Sequence, residues 1–188
     1  MPNRDGRRRF VCAASALTLS LSPAYAALAV TRAELKAAFV YNFATFTEWP
    51  ADALAAGAPL VLCVIGDSAV AQALDRSAGG RQIEGHRVVV RKMDANGPVR
   101  SCHVLYAGGI APKGAHELLE AVKGIAVLTV SDLATFTQQG GTAHLFVEGE
   151  RMRFAVNVES AQRFGLRLSS RLLSLAKLVK DDPDAAPH

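Results

Sequence analysis

The sequence has three cysteines, one tryptophan and a single long apolar stretch, which lies near the start of the chain. Residues 10–21 make up that stretch of about a dozen residues. A helix that crosses a bilayer needs ~20 apolar residues, so this one is too short to span. No later run reaches 18 apolar residues, and we therefore expect a soluble domain to follow.

The first 26 residues have the pattern of an export signal, in which basic residues precede an apolar stretch and small residues mark a cleavage site. The residues that form the pattern are Arg4, Arg7, Arg8, Arg9, Pro23, Ala24 and Ala26. We predict cleavage before Ala27 and export to the periplasm. The three consecutive arginines leave open whether export is of the Sec or the twin-arginine type.

The predicted mature chain lacks an excess of positive charge. Removing residues 1–26 takes away four arginines and one aspartate, which lowers the basic residues from 21 to 17 and the acidic residues from 17 to 16. A nucleic-acid-binding surface needs clustered lysine and arginine. The composition therefore argues against nucleic acid as a partner.

Residues 27–180 are predicted to form a single α/β domain, and the acidic, proline-containing segment 181–188 a flexible tail. Residues 60–65 are a continuous apolar run, typical of a strand covered on both faces. Further strand patterns at 81–93, 103–107 and 126–130 alternate with helical patterns. This alternation predicts a three-layer fold with a mostly parallel sheet flanked by helices.

The C-terminal part of the chain predicts a different arrangement. Residues 144–147 and 151–157 flank a glycine turn and indicate an antiparallel hairpin at the sheet edge. Helices are predicted over 131–138, where Ser131 acts as the cap, and over 159–164 and 168–179. The last of these has leucines and other apolar residues at helical spacing.

Cys12 lies in the predicted signal, which leaves Cys63 and Cys102 as an even pair in an oxidising compartment. Both cysteines lie at apolar segments that could be adjacent strands, which favours a disulfide. Two buried free thiols are the alternative.

Gly66, Asp67 and Ser68 connect a strand to a helix, and the triplet resembles the nucleophile block of the Gly-Asp-Ser-Leu esterases. An esterase would also need a base, for which only Asp184 and His188 in the tail have a suitable spacing. The simpler interpretation is that Asp67 or Ser68 caps the helix. An anion or another small ligand at this helix start is a third interpretation.

No catalytic, metal-binding or cofactor-binding pattern stands out elsewhere. The histidines at 86, 103, 116 and 144 are scattered, with no spacing of a zinc site. We therefore expect no metal, no cofactor and no enzymatic activity.

Several segments, taken in order, resemble the YfiR-like family. They are Ala37–Phe43 and Phe46–Pro50, Leu62–Gly66, Ser101–Tyr106, Leu128–Asp132, Gly140-Gly141, Arg153–Asn157 and Leu168–Leu173. Together they extend over essentially the whole predicted mature chain. The resemblance places Cys63 and Cys102 at a cysteine pair of the family and so implies that they form a disulfide.

The resemblance implies a non-catalytic periplasmic regulator, and it implies homodimers. Members of this kind repress an inner-membrane diguanylate cyclase, and an outer-membrane lipoprotein sequesters them. Sensor kinases are alternative membrane partners, and a periplasmic small-ligand-binding protein is the alternative function. We predict that the partner surface includes Arg153, Phe154, Gln162 and Phe164. Ala155 departs from the family, which often has an acidic residue there.

Overall fold

The apolar segment Leu60–Ile65 forms a central strand, and all six of its residues are buried. In the computed structural model, which describes residues 30–180, alternate side chains of this strand enter two separate apolar clusters. Leu60, Leu62 and Val64 contribute to one cluster, and Val61, Cys63 and Ile65 to the other. The continuous run therefore reflects a strand with apolar cover on both faces.

The helices are α1 (Arg32–Thr45), α2 (Ser68–Ala78), α3 (Pro112–Ala121), α4 (Val158–Arg163) and α5 (Ser170–Leu173), with a 3₁₀ turn at Val99–Ser101. The strands are β1 (Thr47–Glu48), β2 (Leu60–Ile65), β3 (Gln82–Ile83), β4 (His86–Met93), β5 (Val104–Ala107), β6 (Leu128–Ser131), β7 (Ala143–Glu148), β8 (Arg151–Asn157), β9 (Arg167–Leu168) and β10 (Lys177–Val179).

Eight strands form the main sheet in the order β10-β8-β7-β6-β5-β2-β4-β3, while β1 and β9 form a separate antiparallel pair. Five of the neighbouring pairs are parallel, and the pairs β7–β8 and β3–β4 are antiparallel. The predicted fold class, a mostly parallel sheet with flanking helices and a C-terminal antiparallel hairpin, is confirmed.

Helix α1 begins at a capping box, in which the Thr31 hydroxyl accepts from the backbone N–H of Glu34 and the Glu34 carboxylate accepts from the backbone N–H of Thr31. The aromatic side chains of this helix pack on the C-terminal hairpin. The Phe154 ring lies edge-on to Phe39 and Phe43, with centroids 5.7 and 5.2 Å away. This contact joins the first helix to strand β8.

The helix predicted over 168–179 is wrong. The segment instead contains the end of β9, the single turn α5 and the strand β10, and Leu175 of the supposed apolar face is 69% exposed. Strand β10 pairs in parallel with β8, so that Lys177, Leu178 and Val179 lie opposite residues 155–157. Tertiary pairing here overrides the helical spacing of the leucines.

Two smaller expectations also need correction. Strand β8 is not at the sheet edge, because β10 pairs with its outer side, and Ala155 is buried. Ser131 is the last residue of β6 and does not cap a helix, since residues 134–140 form turns. The predicted cleavage site at Ala24, Ala26 and Ala27 and the tail 181–188 lie outside the described residues.

Candidate functional site

The strand order reverses between β2 and β5. The chain passes from β2 through α2 to β4 on one side, and from β5 through α3 to β6 on the other. In open α/β sheets, ligands bind in the crevice at the carboxyl ends of the strands where the order reverses. The loops Gly66–Ser68 and Gly108-Gly109 meet at this point, and a Cβ at Gly66 would overlap the carbonyl oxygen of Gly108.

An ion-pair cluster occupies this end of the sheet. Lys36 of α1 places Nζ 2.7 Å from Oδ2 of Asp132, which follows β6, and 3.4 Å from Oδ2 of Asp67, which follows β2. The Tyr106 hydroxyl of β5 donates to Asp132 Oδ2 over 3.4 Å, and the Gly109 N–H donates to Asp132 Oδ1 over 2.9 Å. Three donors, from α1, from β5 and from the loop after β5, therefore converge on the Asp132 carboxylate.

The environment fixes the charges of this cluster. Burial raises the pKa of Asp132, but the hydrogen bonds from Lys36 and Gly109 outweigh that effect, and the net shift is downward. Burial likewise lowers the pKa of Lys36, but the bond to Asp132 reverses the direction. Burial raises the pKa of the Tyr106 phenol, and the nearby Asp132 charge raises it further. Lys36 is therefore an ammonium, Asp132 a carboxylate and Tyr106 a neutral phenol.

The Gly66–Ser68 segment is a helix cap in this structure. Asp67 precedes α2, and its Oδ1 accepts from the Val70 N–H over 3.1 Å. The helix start therefore already carries a carboxylate, which disfavours a second anion. Ser68 is exposed, and within residues 30–180 its side chain makes no hydrogen bond. The Asp184 and His188 pair that an esterase would need lies outside the described residues.

A disulfide joins Cys63 of β2 to Cys102, which precedes β5, with Cα atoms 5.9 Å apart. Both cysteines are buried, at 0% and 3% exposure. The bond lies on the opposite face of the sheet from α1, in the cluster that α3 covers. It joins two neighbouring strands across the point where the strand order reverses.

The residues predicted to contact a partner are dispersed. Phe154 is 6% exposed and belongs to the aromatic contact with α1, so it is not available on the surface. Arg153 and Gln162 are exposed, and Arg153 places Nε 3.6 Å from a Glu148 carboxylate oxygen. Phe164 is half-buried at the end of α4.

Sequence reasoning missed the Lys36–Asp132 pair. The two residues are 96 positions apart. Asp132 ends one of the segments that resemble the family, but no motif links it to Lys36. A signal was present, because Asp132 directly follows a buried strand and Asp67 lies two residues after another. The carboxyl ends of parallel strands in one sheet lie at the same edge, so both carboxylates are expected there.

Within residues 30–180 no three histidine, cysteine, aspartate or glutamate side chains are grouped as a metal site would require. The helices of that part of the chain are all too short or too polar to cross a membrane.

The comparisons with known proteins give one family and a similar solved fold. A family model described as YfiR/HmsC-like matches residues 33–177. The crystal structure of a conserved domain protein from Vibrio cholerae O1 biovar El Tor strain N16961 superposes with a TM-score of 0.55 at 12% identity. The match covers 80% of this chain and 60% of that one, so this chain spans well under two thirds of its length. At this identity the similarity shows the fold alone.

Proposed function

This chain belongs to the YfiR/HmsC-like family of periplasmic regulators, and from that premise we propose that it represses an inner-membrane signalling protein by binding it. The partner is the periplasmic part of a diguanylate cyclase, so that the bound state keeps cyclic di-GMP synthesis and biofilm formation low. We further propose that the chain reaches the periplasm by signal cleavage before Ala27, acts as a homodimer and is sequestered by an outer-membrane lipoprotein.

The single observation that carries this proposal is the family match over residues 33–177. The ion-pair cluster supports it. At the edge of the sheet where ligands bind in this kind of fold, the protein's own Lys36 ammonium pairs with Asp67 and Asp132. A ligand would have to displace a 2.7 Å charged hydrogen bond to enter. Charges that the chain's own residues already satisfy fit a protein that acts by binding.

Repression by binding requires the regulator to bind the inactive state of the cyclase more tightly than the active state. Moving the cyclase from 99% active to 99% inactive needs a difference in affinity of about 10⁴-fold. The interface must therefore recognise a conformation as well as a sequence.

The test is deletion of the gene, with cyclic di-GMP measured in cell extracts and biofilm mass measured in parallel. We expect both to rise, and to return when the wild-type gene is restored. A matched strain should carry Ser68→Ala, which we expect to repress fully because Ser68 has no catalytic role. Unchanged cyclic di-GMP after deletion would refute the cyclase as partner, and loss of repression by Ser68→Ala would favour the esterase interpretation.

A further inference from the structure

Three adjoining concavities line the amino end of the sheet, opposite to the ion-pair cluster. Their volumes are about 240, 340 and 420 Å³. Glu48 and Trp49 line both the first and the second, while Pro50 and Gly165 line both the second and the third. We call this continuous surface the Trp49 groove. It is longer than a single ammonium or carboxylate group needs.

The first concavity is acidic. Glu48 and Glu84 line it, both are exposed, and no lysine or arginine lines it with them. Within residues 30–180 neither carboxylate has an ion-pair or hydrogen-bond partner. His86, the remaining titratable residue of this concavity, has Nδ1 2.8 Å from the Ala58 carbonyl oxygen, to which it must donate. Two unpaired carboxylates in a concave site favour a cation.

The floor of the groove contains an unsatisfied donor. The indole Nε1 of Trp49 is buried and has no hydrogen-bond partner among the described residues. Buried polar groups in proteins are nearly always paired, and an unpaired one costs free energy. Because Nε1 itself is buried, the half-buried ring must rotate before Nε1 can donate to a carbonyl oxygen of a docked chain. The indole face also attracts a lysine or arginine side chain.

The second concavity adds a positive charge. Arg167 lies directly opposite Glu48 in the β1–β9 pair, yet the described chain shows no ion pair between them. The third concavity is more apolar and includes Ile125 and Phe164 among its lining residues. The groove therefore has two carboxylates at one end and Glu48 with Arg167 in the middle. At its other end, apolar side chains lie beside Asp52 and Arg163.

We propose that the Trp49 groove binds an extended polypeptide segment that places a lysine or arginine side chain between Glu48 and Glu84 and an apolar side chain against Phe164. A polypeptide fits better than a free amine, because it fills three concavities and supplies carbonyl oxygens for the Trp49 N–H. That this segment belongs to the membrane partner rests on the proposed function.

Trp49 is the single tryptophan of the chain, so its fluorescence reports directly on the groove. The probes are the capped peptides Ac-Arg-Gly-Gly-Leu-NH₂ and Ac-Leu-Gly-Gly-Arg-NH₂, each titrated into the full-length protein. Controls are the same peptides with citrulline, which is neutral, in place of arginine, and free arginine amide.

We expect a saturable change in Trp49 emission with at least one arginine peptide and about tenfold or weaker binding with citrulline, because a charge-assisted hydrogen bond is lost. Glu48→Gln and Glu84→Gln should each weaken the arginine peptide similarly. Glu117→Gln, an exposed change on α3 outside the groove, should have no effect. The proposal is overturned if no peptide gives a saturable change, if citrulline binds as well as arginine, or if arginine amide binds as tightly as the peptides.

A cell assay separates this inference from the proposed function. In the deletion strain, the Glu48→Gln/Glu84→Gln double variant should fail to lower cyclic di-GMP at wild-type protein level, while Glu117→Gln should succeed. If deletion itself changes nothing, the proposed function fails. If deletion raises cyclic di-GMP and the double variant still represses fully, the groove proposal alone is refuted.

Discussion

Removal of the Cys63–Cys102 disulfide should destabilise the domain by about 4 kcal/mol. The two cysteines are 39 residues apart, and closing a loop of that length removes that much conformational free energy from the unfolded chain in the chain-entropy model. For a domain of this size, we expect the melting temperature to fall by about 8–16 °C.

The comparison should use a Cys12→Ser background, so that only one cysteine pair can form. Urea unfolding of the oxidised protein and of the same protein reduced while unfolded, followed by Trp49 emission, measures the loop-closure effect without removing any atoms. The Cys63→Ala/Cys102→Ala variant should lose more than the reduced protein does, because it also leaves unfilled space in a buried cluster. If the free energies of unfolding of the reduced and oxidised proteins differ by less than about 1 kcal/mol, the loop-closure reasoning is refuted.

Three further predictions concern single side chains. Burial lowers the pKa of His103 in the folded protein, so the unfolded chain takes up the proton at a higher pH. The free energy of unfolding should therefore fall as the pH drops below ~6.5. In His103→Gln, the free energies of unfolding measured in urea at pH 7.5 and 5.5 should differ less than they do in the wild type. A double-mutant cycle of Lys36→Met and Asp132→Asn should give a coupling of about 1–2 kcal/mol in urea unfolding, and a value near zero would contradict the 2.7 Å bond. Phe154→Ala should lower the free energy of unfolding by about 3–5 kcal/mol and Arg153→Ala by less than about 0.5, measured by thermal melting. Equal losses in the two variants would contradict the burial of the Phe154 ring.

The strands at the centre of the sheet could be predicted because their local sequence is continuously apolar, which is typical of buried strands. The six-residue apolar run at 60–65 has the length and composition of a strand covered on both faces, and the structure places it there. The C-terminal segment could not be predicted in the same way. Its leucines have helical spacing, but Ser169 caps only a single turn, and residues 177–179 pair with β8. Pairing with residues 22 positions earlier in the chain is not encoded in local spacing.

In the candidate site, too, the features set by local sequence could be predicted and those set by tertiary packing could not. The capping role of Asp67 follows from its position between a strand and a helix, and the structure has the cap. The bond from Lys36 to Asp132 depends on where α1 lies across the sheet, which no local pattern specifies. Trp49 and Glu84 likewise meet only because β1 and the β3–β4 turn lie beside the amino end of β2.

The two ends of the parallel strands therefore differ in how far their polar groups are paired within the chain. At the carboxyl end, one ammonium satisfies two carboxylates, and two loops approach so closely that a single Cβ would collide. At the amino end, two carboxylates and an indole N–H have no partners in the described chain. Unpaired charge on an exposed surface costs little in water, but it selects strongly for a complementary partner, because a like charge brought there is repelled. If the protein acts by contact, its specificity should depend on the amino end, while the carboxyl end serves stability. Substitutions of Lys36 should then lower the melting temperature without changing the preference for arginine over citrulline in the groove.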